Sequence, residues 1–237
     1  MLNVTILLCD TFPGILTEDM PGYDRMFTSL IEAVADGEQC RFTVLQTWRG
    51  ELPATINLSE IYVVTGSNAD AYGDEAWVVL LREWIAQAAT VGARIAGICF
   101  GHQIIAQALG GEVERSPKGW GVGIRTSQVV DELTRRSLGD TLSLLYNHHD
   151  QVVKLPAGAT RVATSEFCPN EGFTIGRNIC TLQGHPEFPV WYERHWIENH
   201  ASDEPEELKA RALETLDTLP NDSLPAARWM LSFLRQG

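Results

Sequence analysis

Basic residues are scarce in this chain of 237 residues: 18 Lys and Arg stand against 31 Asp and Glu, a formal net charge of −13. That balance argues against broad binding to nucleic acid or to anionic membrane surfaces. Long apolar runs are also missing. The opening Met1-Leu-Asn-Val-Thr-Ile-Leu-Leu-Cys-Asp10 has no basic n-region, and its apolar run stops at Asp10, so it reads as a first strand and not as a signal peptide. No segment approaches the roughly 18–20 apolar residues that span a bilayer. Cysteine is sparse: Cys9, Cys40, Cys99, Cys168 and Cys180 are odd in number and have no close pairs. Free thiols in a reducing cytoplasm are the expectation. Repeats, low-complexity stretches and linkers are lacking, which favours one domain over residues 1–237. What is present is ordinary for a globular chain, with 44% apolar and 21% charged residues, and this excludes a disordered or collagen-like polypeptide.

Strand-like and helix-like segments alternate through the first half. Val4–Cys9, Arg41–Gln46, Ile61–Thr65 and Arg94–Ile98 are short apolar or β-branched runs. Between them, Asp24–Val34 carries Met26, Leu30, Ile31 and Val34 at helical spacing. Asp74–Ala89 carries Trp77, Leu80, Leu81, Trp84, Ile85 and Ala88 on one stripe, and a further helix is expected over Gly101–Leu109. This alternation predicts a parallel sheet covered on both faces. From Gly119 to Cys180 the pattern changes to short strands (Val122–Val130, Gln151–Lys154, Arg161–Ser165, Phe173–Ile175, then Ile179–Leu182) separated by turns such as Pro156-Ala-Gly158, an antiparallel addition. Residues 191–237 read as an acidic helical extension, with Ser223 capping a last helix and Pro225 in its first turn.

The most informative stretch is Arg94-Ile-Ala-Gly-Ile-Cys-Phe-Gly-His-Gln103, a strand end, a cysteine between two glycines and a helix start. Gly-x-Cys-x-Gly is the thiol form of a nucleophile elbow, a turn so sharp that side chains at the glycine positions would meet neighbouring backbone. It presents Cys99 at the carboxyl edge of the sheet, where the helix N-terminus favours thiolate and the N–H of Phe100 points at a developing oxyanion. A buried strand-end cysteine beside packing glycines is the competing reading. A thiolate nucleophile needs a base, and the base an orienter. Thr181-Leu-Gln-Gly-His-Pro-Glu-Phe188 offers both: His185 and Glu187 are two apart and share a face in extended chain. A surface turn would explain that motif in isolation; paired with the elbow, it points to chemistry.

Together, Gly97-Ile-Cys-Phe-Gly-His-Gln103 and Gly184-His-Pro-Glu-Phe188 resemble the class I glutamine amidotransferase family. The resemblance implies a flavodoxin-like α/β three-layer sandwich, mainly parallel with appended antiparallel strands, and a Cys-His-Glu triad. Cys99 would attack a γ-glutamyl carbonyl to form a thioester, His185 would pass the proton to the leaving amine, and Glu187 would hold His185. The family's glycine turn corresponds to Val63-Val-Thr-Gly-Ser67, with Gly66 completing the oxyanion hole. Tyr146-Asn-His-His-Asp-Gln-Val152 resembles the segment lining the glutamate pocket, through the backbone of Asn147 and His148, and Gln103 matches a position that contacts the glutamine moiety. His148-His149-Asp150 does not suggest a metal, because adjacent strand residues face opposite sides and no His-x-x-x-His or Cys-x-x-Cys accompanies them. No metal and no cofactor is expected. His195 and His200 read as solvated, and Trp77 and Trp84 as core.

No P-loop occurs, and the stretch after Phe188 is too short for an ATP-using synthetase domain. Thr65-Gly-Ser-Asn-Ala-Asp-Ala-Tyr72 and Lys118-Gly-Trp-Gly-Val-Gly123 resemble the stand-alone branch, which is similar to the amidotransferase half of GMP synthase and includes the plant γ-glutamyl peptidases. The first expectation is a γ-glutamyl hydrolase acting on a small-molecule substrate. The second is a glutaminase subunit feeding ammonia to a separate synthetase partner, and the third a non-catalytic protein that binds a γ-glutamyl ligand. The acidic run Ser202–Asp217 matches no function, and Trp191, Trp196 and Trp229 either line a contact or cover the core.

Overall fold

The computed structural model describes residues 1–12, 22–57, 60–202 and 204–236; Asp203, one of the acidic residues of the tail, lies outside the described residues. The first half runs β1 (Leu2–Leu8), α1 (Tyr23–Val34), β2 (Cys40–Gln46), β3 (Ile61–Val64), α2 (Ala76–Thr90), β4 (Arg94–Ile98) and α3 (Phe100–Ala108). There follow β5 (Glu112–Arg115), β6 (Gly121–Val129), α4 (Glu132–Leu138), β7 (Thr141–His148), β8 (Asp150–Lys154), β9 (Ala159–Thr164), β10 (Gly172–Ile175) and β11 (Ile179–Leu182). The chain closes with α5 (Val190–His200), α6 (Glu206–Thr218) and α7 (Ser223–Arg235).

A 9-stranded sheet in the order β2-β1-β3-β4-β11-β10-β9-β6-β7 forms the middle layer. From β2 through β11 its neighbours are parallel; from β11 through β7 they are antiparallel. The expected junction of a parallel core and an antiparallel addition therefore falls at β11. Period-2 alternation sends Val4, Ile6 and Leu8 to one face of the sheet and Leu7 and Cys9 to the other. The first face is covered by α1 and α7, through Met26, Phe27, Val34, Met230 and Leu234. The second is covered by α2 and α3, through Val78, Leu81, Ile85, Ile104 and Ile105.

Several local expectations change. Leu80 is exposed (46%) although its spacing puts it on the apolar stripe of α2, because the buried face runs through Val78, Leu81, Ile85 and Ala88 and turns Leu80 outward. Ser223 does not cap α7. It is the helix's first residue, and its hydroxyl donates to Asn221 Oδ1 at 2.8 Å. Asp222 precedes it and is tied to β7, accepting from the Ser143 N–H at 2.8 Å through its carboxylate while its own N–H donates to the Ser143 carbonyl at 2.8 Å. β5 and α4 carry too little apolar periodicity to be read from sequence; β5, for example, buries only Val113 and pairs with β8 in a separate two-stranded sheet. The first half of β7, Thr141-Leu-Ser-Leu144, alternates polar and apolar residues and is a strand missing from the expected set. Of the three tail tryptophans, Trp229 is buried, Trp191 is 43% exposed and Trp196 lines the cavity beside Cys99. Among the described residues no helix is long and apolar enough to cross a membrane.

Candidate active site

The elbow between β4 and α3 is built from its two glycines. A Cβ on Gly97 would lie 2.6 Å from the Gly101 carbonyl oxygen, and one on Gly101 would lie 2.1 Å from the carbonyl oxygen of Val64 on β3. Hydrogen in both places lets α3 press onto the sheet directly after the turn. Between them, Cys99 has φ 53° and ψ −106°, a left-side conformation rare outside glycine that its surroundings must hold in place. Its own N–H donates to the Leu182 carbonyl on the neighbouring β11 at 2.9 Å, and the N–H of Phe100 opens α3 without a backbone acceptor among the described residues.

Because β11 is the parallel neighbour of β4, the segment following β11 emerges beside the elbow. There the His185 N–H donates to the Leu145 carbonyl at 2.7 Å, which fixes the backbone of the turn. Nδ1 of His185 and Oε1 of Glu187 are 2.7 Å apart, both side chains being buried. The imidazole lies flat on the Phe188 ring, with centroids 3.9 Å apart and planes within 5°. Its remaining nitrogen is left for the Cys99 thiol, with which the ring interacts. Burial opposes a charge on His185, but the Glu187 carboxylate and the Cys99 sulfur outweigh it and raise its pKa to about 10. The arrangement therefore favours an imidazolium facing the sulfur.

Three neighbours of this cluster are absent from the sequence-based site. Gln183 Nε2 donates to Cys99 Sγ at 3.6 Å, while its Oε1 accepts from Gln103 Nε2 at 3.1 Å. Gln103 Nε2 also reaches the Asp150 carbonyl at 2.9 Å, so its amide is engaged within the protein. Tyr23 donates its hydroxyl to Glu187 Oε1 at 2.9 Å and accepts the Gly66 N–H at 3.0 Å. The Gly66 amide is thus occupied. The next amide, that of Ser67, makes no hydrogen bond among the described residues, and Ser67 lines the same cavities as Cys99. A signal for Gln183 is present, since it directly follows the strand that leads into the His-Pro-Glu turn; Tyr23, far away in sequence, offers none.

Cys99 opens onto a cavity of about 280 Å³ whose wall includes Asp70, Gln103, Arg115, Asn147, His148, His149, Asp150 and Trp196. The expected pocket residues Gln103, Asn147 and His148 are therefore brought together. Asn147 is held by Trp120, whose indole donates to its Oδ1 at 3.0 Å. His148 is buried with Nδ1 on the Asp150 carbonyl at 2.8 Å, and burial lowers its pKa to about 3, so it is neutral. Its neighbour His149, on the same cavity wall, stacks on Trp120 and pairs with Glu204 at 3.4 Å. Trp196 and Glu204 both come from the C-terminal extension, which thus contributes one wall residue directly and steadies another. Among the described residues no three His, Cys, Asp or Glu side chains are placed to hold a metal.

The class I glutamine amidotransferase model matches residues 40–202, a span that runs from β2 to just past the end of α5 and contains both the elbow and the His-Pro-Glu turn. The chain belongs to the class I glutamine amidotransferase family. This amidotransferase domain is 35% identical over 176 residues to gamma-glutamyl peptidase 3 of Arabidopsis thaliana, a match covering 70% of this chain and 69% of that protein. It is 40% identical over 93 residues to a subunit of the glutamine-hydrolyzing GMP synthase of Sulfolobus acidocaldarius, covering 38% of this chain and 49% of the other. Its fold superposes on the crystal structure of a glutamine amidotransferase from Thermotoga maritima with a TM-score of 0.74 at 24% identity, over 99% of this chain and 96% of that one.

All five cysteines are free. Burial pushes the Cys9 thiol up to about 12 and raises those of Cys168 and Cys180 further; burial and then Glu32 and Glu38 raise that of Cys40. Limiting iodoacetamide is accordingly expected to label Cys99 first, as read by peptide mass spectrometry. Equal labelling of Cys40, which is more exposed than Cys99, would show that the elbow thiol is not activated.

Proposed function

We propose that the protein hydrolyses γ-glutamyl amide bonds with Cys99 as nucleophile, His185 as general acid and base, and Glu187 as the group that orients His185. The observation that carries this reading is the 2.7 Å His185–Glu187 contact aimed at a cysteine on a strained elbow that opens into a cavity. The Cys99 thiolate adds to the γ-carbonyl carbon and forms a C–S bond. Negative charge gathers on the carbonyl oxygen, where the N–H groups of Phe100 and Ser67 meet it. Ser67 replaces Gly66 in this role because the Gly66 amide is spent on Tyr23. The C–N bond breaks as His185 hands its proton to the departing amine. A water that gives a proton to His185 then attacks the γ-glutamyl thioester, and the C–S bond breaks to release glutamate and the thiolate.

Substrate binding follows from the charges around the cavity. Burial and the nearby Asp70 raise the Asp150 carboxyl above its usual range, and a substrate α-ammonium between the two would relieve that repulsion. Arg115 on the same wall suits the α-carboxylate. Asn147 and His148 line the glutamyl site, and Gln103 holds its floor through Asp150 and Gln183. The chemistry requires no cofactor and no metal, and fits a cytoplasmic setting with free thiols.

A second reading, a glutaminase subunit serving a synthetase, is favoured by the relationship to one subunit of a GMP synthase. The two separate on one assay: the purified chain, with no partner, against glutamine, glutathione and γ-glutamyl dipeptides, measuring free glutamate. Steady turnover with a γ-glutamyl peptide cleaved faster than glutamine is the expected result. Release from glutamine only when a synthetase is added would support the subunit reading, and no release under either condition would leave a γ-glutamyl-binding protein.

A further inference from the structure

We propose that Tyr23 is a positioning residue that locks the orienting carboxylate and the oxyanion turn into one frame. This inference rests on the triad reading given above. Tyr23 is the first residue of α1 and is 2% exposed, yet its hydroxyl joins two other parts of the fold: Glu187 in the turn after β11 and Gly66 in the turn after β3. A phenol can serve both at once, because its oxygen accepts the Gly66 N–H while its proton goes to the carboxylate. The ring cannot drift, being packed against Phe12 at 4.6 Å, Phe27 at 5.2 Å and Phe188 at 5.9 Å.

The geometry explains why the triad needs this third contact. Glu187 Oε1 takes the hydrogen bonds of both His185 and Tyr23, whereas Oε2 has no partner among the described residues. With His185 as its single anchor the carboxylate could rotate about its own axis and carry the imidazole with it. Tyr23 removes that freedom. The same hydroxyl holds the Gly66 amide, and Gly66 directly precedes the Ser67 amide assigned to the oxyanion. One side chain from α1 therefore sets the distance between the acid that steadies His185 and the donor that meets the developing charge. Burial and then the Glu187 charge raise the Tyr23 pKa well above the usual value, so the hydroxyl stays a donor through the working pH range.

Tyr23 also tempers Glu187. A carboxylate that already accepts from a phenol holds an imidazolium less tightly than one that does not. The groups facing His185 from the packed elements are Cys99 from the start of α3, Glu187 and Tyr23, His148 from β7 and Glu193 from α5. Tyr23→Phe removes the donor on Glu187 and the acceptor of the Gly66 N–H together, and leaves the ring's packing in place.

The test is Tyr23→Phe in the full chain. Expected are a roughly tenfold to hundredfold fall in kcat, KM within about twofold, and a shift to higher pH of the alkaline limb on which His185 loses its proton. The shift is upward because the freed carboxylate becomes more basic and holds the imidazolium proton longer. The low-field proton resonance of His185 Nδ1 should move further downfield in the same variant, a readout that does not depend on turnover. An unchanged kcat and pH profile overturns the proposal. So does a fall in kcat with an unmoved limb and an unmoved resonance, which would mean that Tyr23 does not govern the His185–Glu187 pair and does not join it to the oxyanion turn. If the wild-type chain releases no glutamate, the hydrolase reading fails separately, and the resonance still decides whether Tyr23 governs the His185–Glu187 pair.

Discussion

Replacing Cys99 with alanine is expected to lower glutamate release by about 10⁴-fold or more while leaving the folded structure in place. The activity loss is large because no other group can take the nucleophile's position. Of the side chains at the sulfur, His185 is the base paired with Glu187 and Gln183 is an amide already bound to Gln103, and the other four cysteines lie outside both cavities that reach Cys99. The stability change should be within about 1 kcal/mol, since alanine removes one small buried atom and a long sulfur contact and keeps the same backbone strain. Thermal denaturation and glutamate release measured on one preparation make the check. A variant that keeps more than a few per cent of the activity would remove Cys99 from the chemistry, and a variant that unfolds would mean that the sulfur is structural.

The second large effect concerns the fold. Gly101→Ala is expected to destabilise the protein by at least about 4 kcal/mol, a drop in Tm on the order of 10 °C for a chain of this size, or to prevent folding altogether. The added Cβ would sit 2.1 Å from the Val64 carbonyl oxygen and 2.8 Å from its carbonyl carbon. Those are backbone atoms of a buried strand paired on both sides, with β1 and with β4, so they cannot swing aside as a flexible side chain would. Relief requires α3 to move off the sheet, and α3 carries Phe100, Ile104 and Ile105 of the core together with the amide that faces the oxyanion. Residual folded protein should therefore be inactive as well. A Tm within about 2–3 °C of wild type would show that the helix can slide away from β3 at little cost, and that the second glycine of the elbow is not a steric requirement.

The same close approach marks where sequence reading works. Gly97-Ile-Cys-Phe-Gly101 is a local statement: a strand must end, a helix must begin, and hydrogen is required at both glycines whatever the rest of the chain does. The change from widely spaced parallel strands to closely spaced antiparallel ones is legible for a similar reason, because connection length restricts how neighbouring strands can pair. His185 and Glu187 are legible as a pair because only Pro186 separates them, and the turn through Pro186 brings Nδ1 and Oε1 to 2.7 Å.

What tertiary structure decided lies across long separations. Periodicity tells which face of a strand is buried but not which strand lies beside it, so the placement of β11 against β4, which brings Gln183 to Cys99, could not be read from either segment. The Gly66 turn is legible, but not that its amide is already used, because the hydroxyl that uses it arrives from α1. The acidic tail reads as a solvated helix. In the fold α6 packs against β6, with the Ile124 N–H on Thr215 Oγ1 at 3.0 Å, while Trp196 reaches the cavity wall and Glu204 pairs with His149. The chain's local chemistry determined the elbow, the His-Pro-Glu turn and the two-part sheet. Which groups satisfy the buried donors and acceptors of that chemistry was decided by the fold, since a buried polar atom pairs with whatever the topology brings within about 3 Å, however distant in sequence.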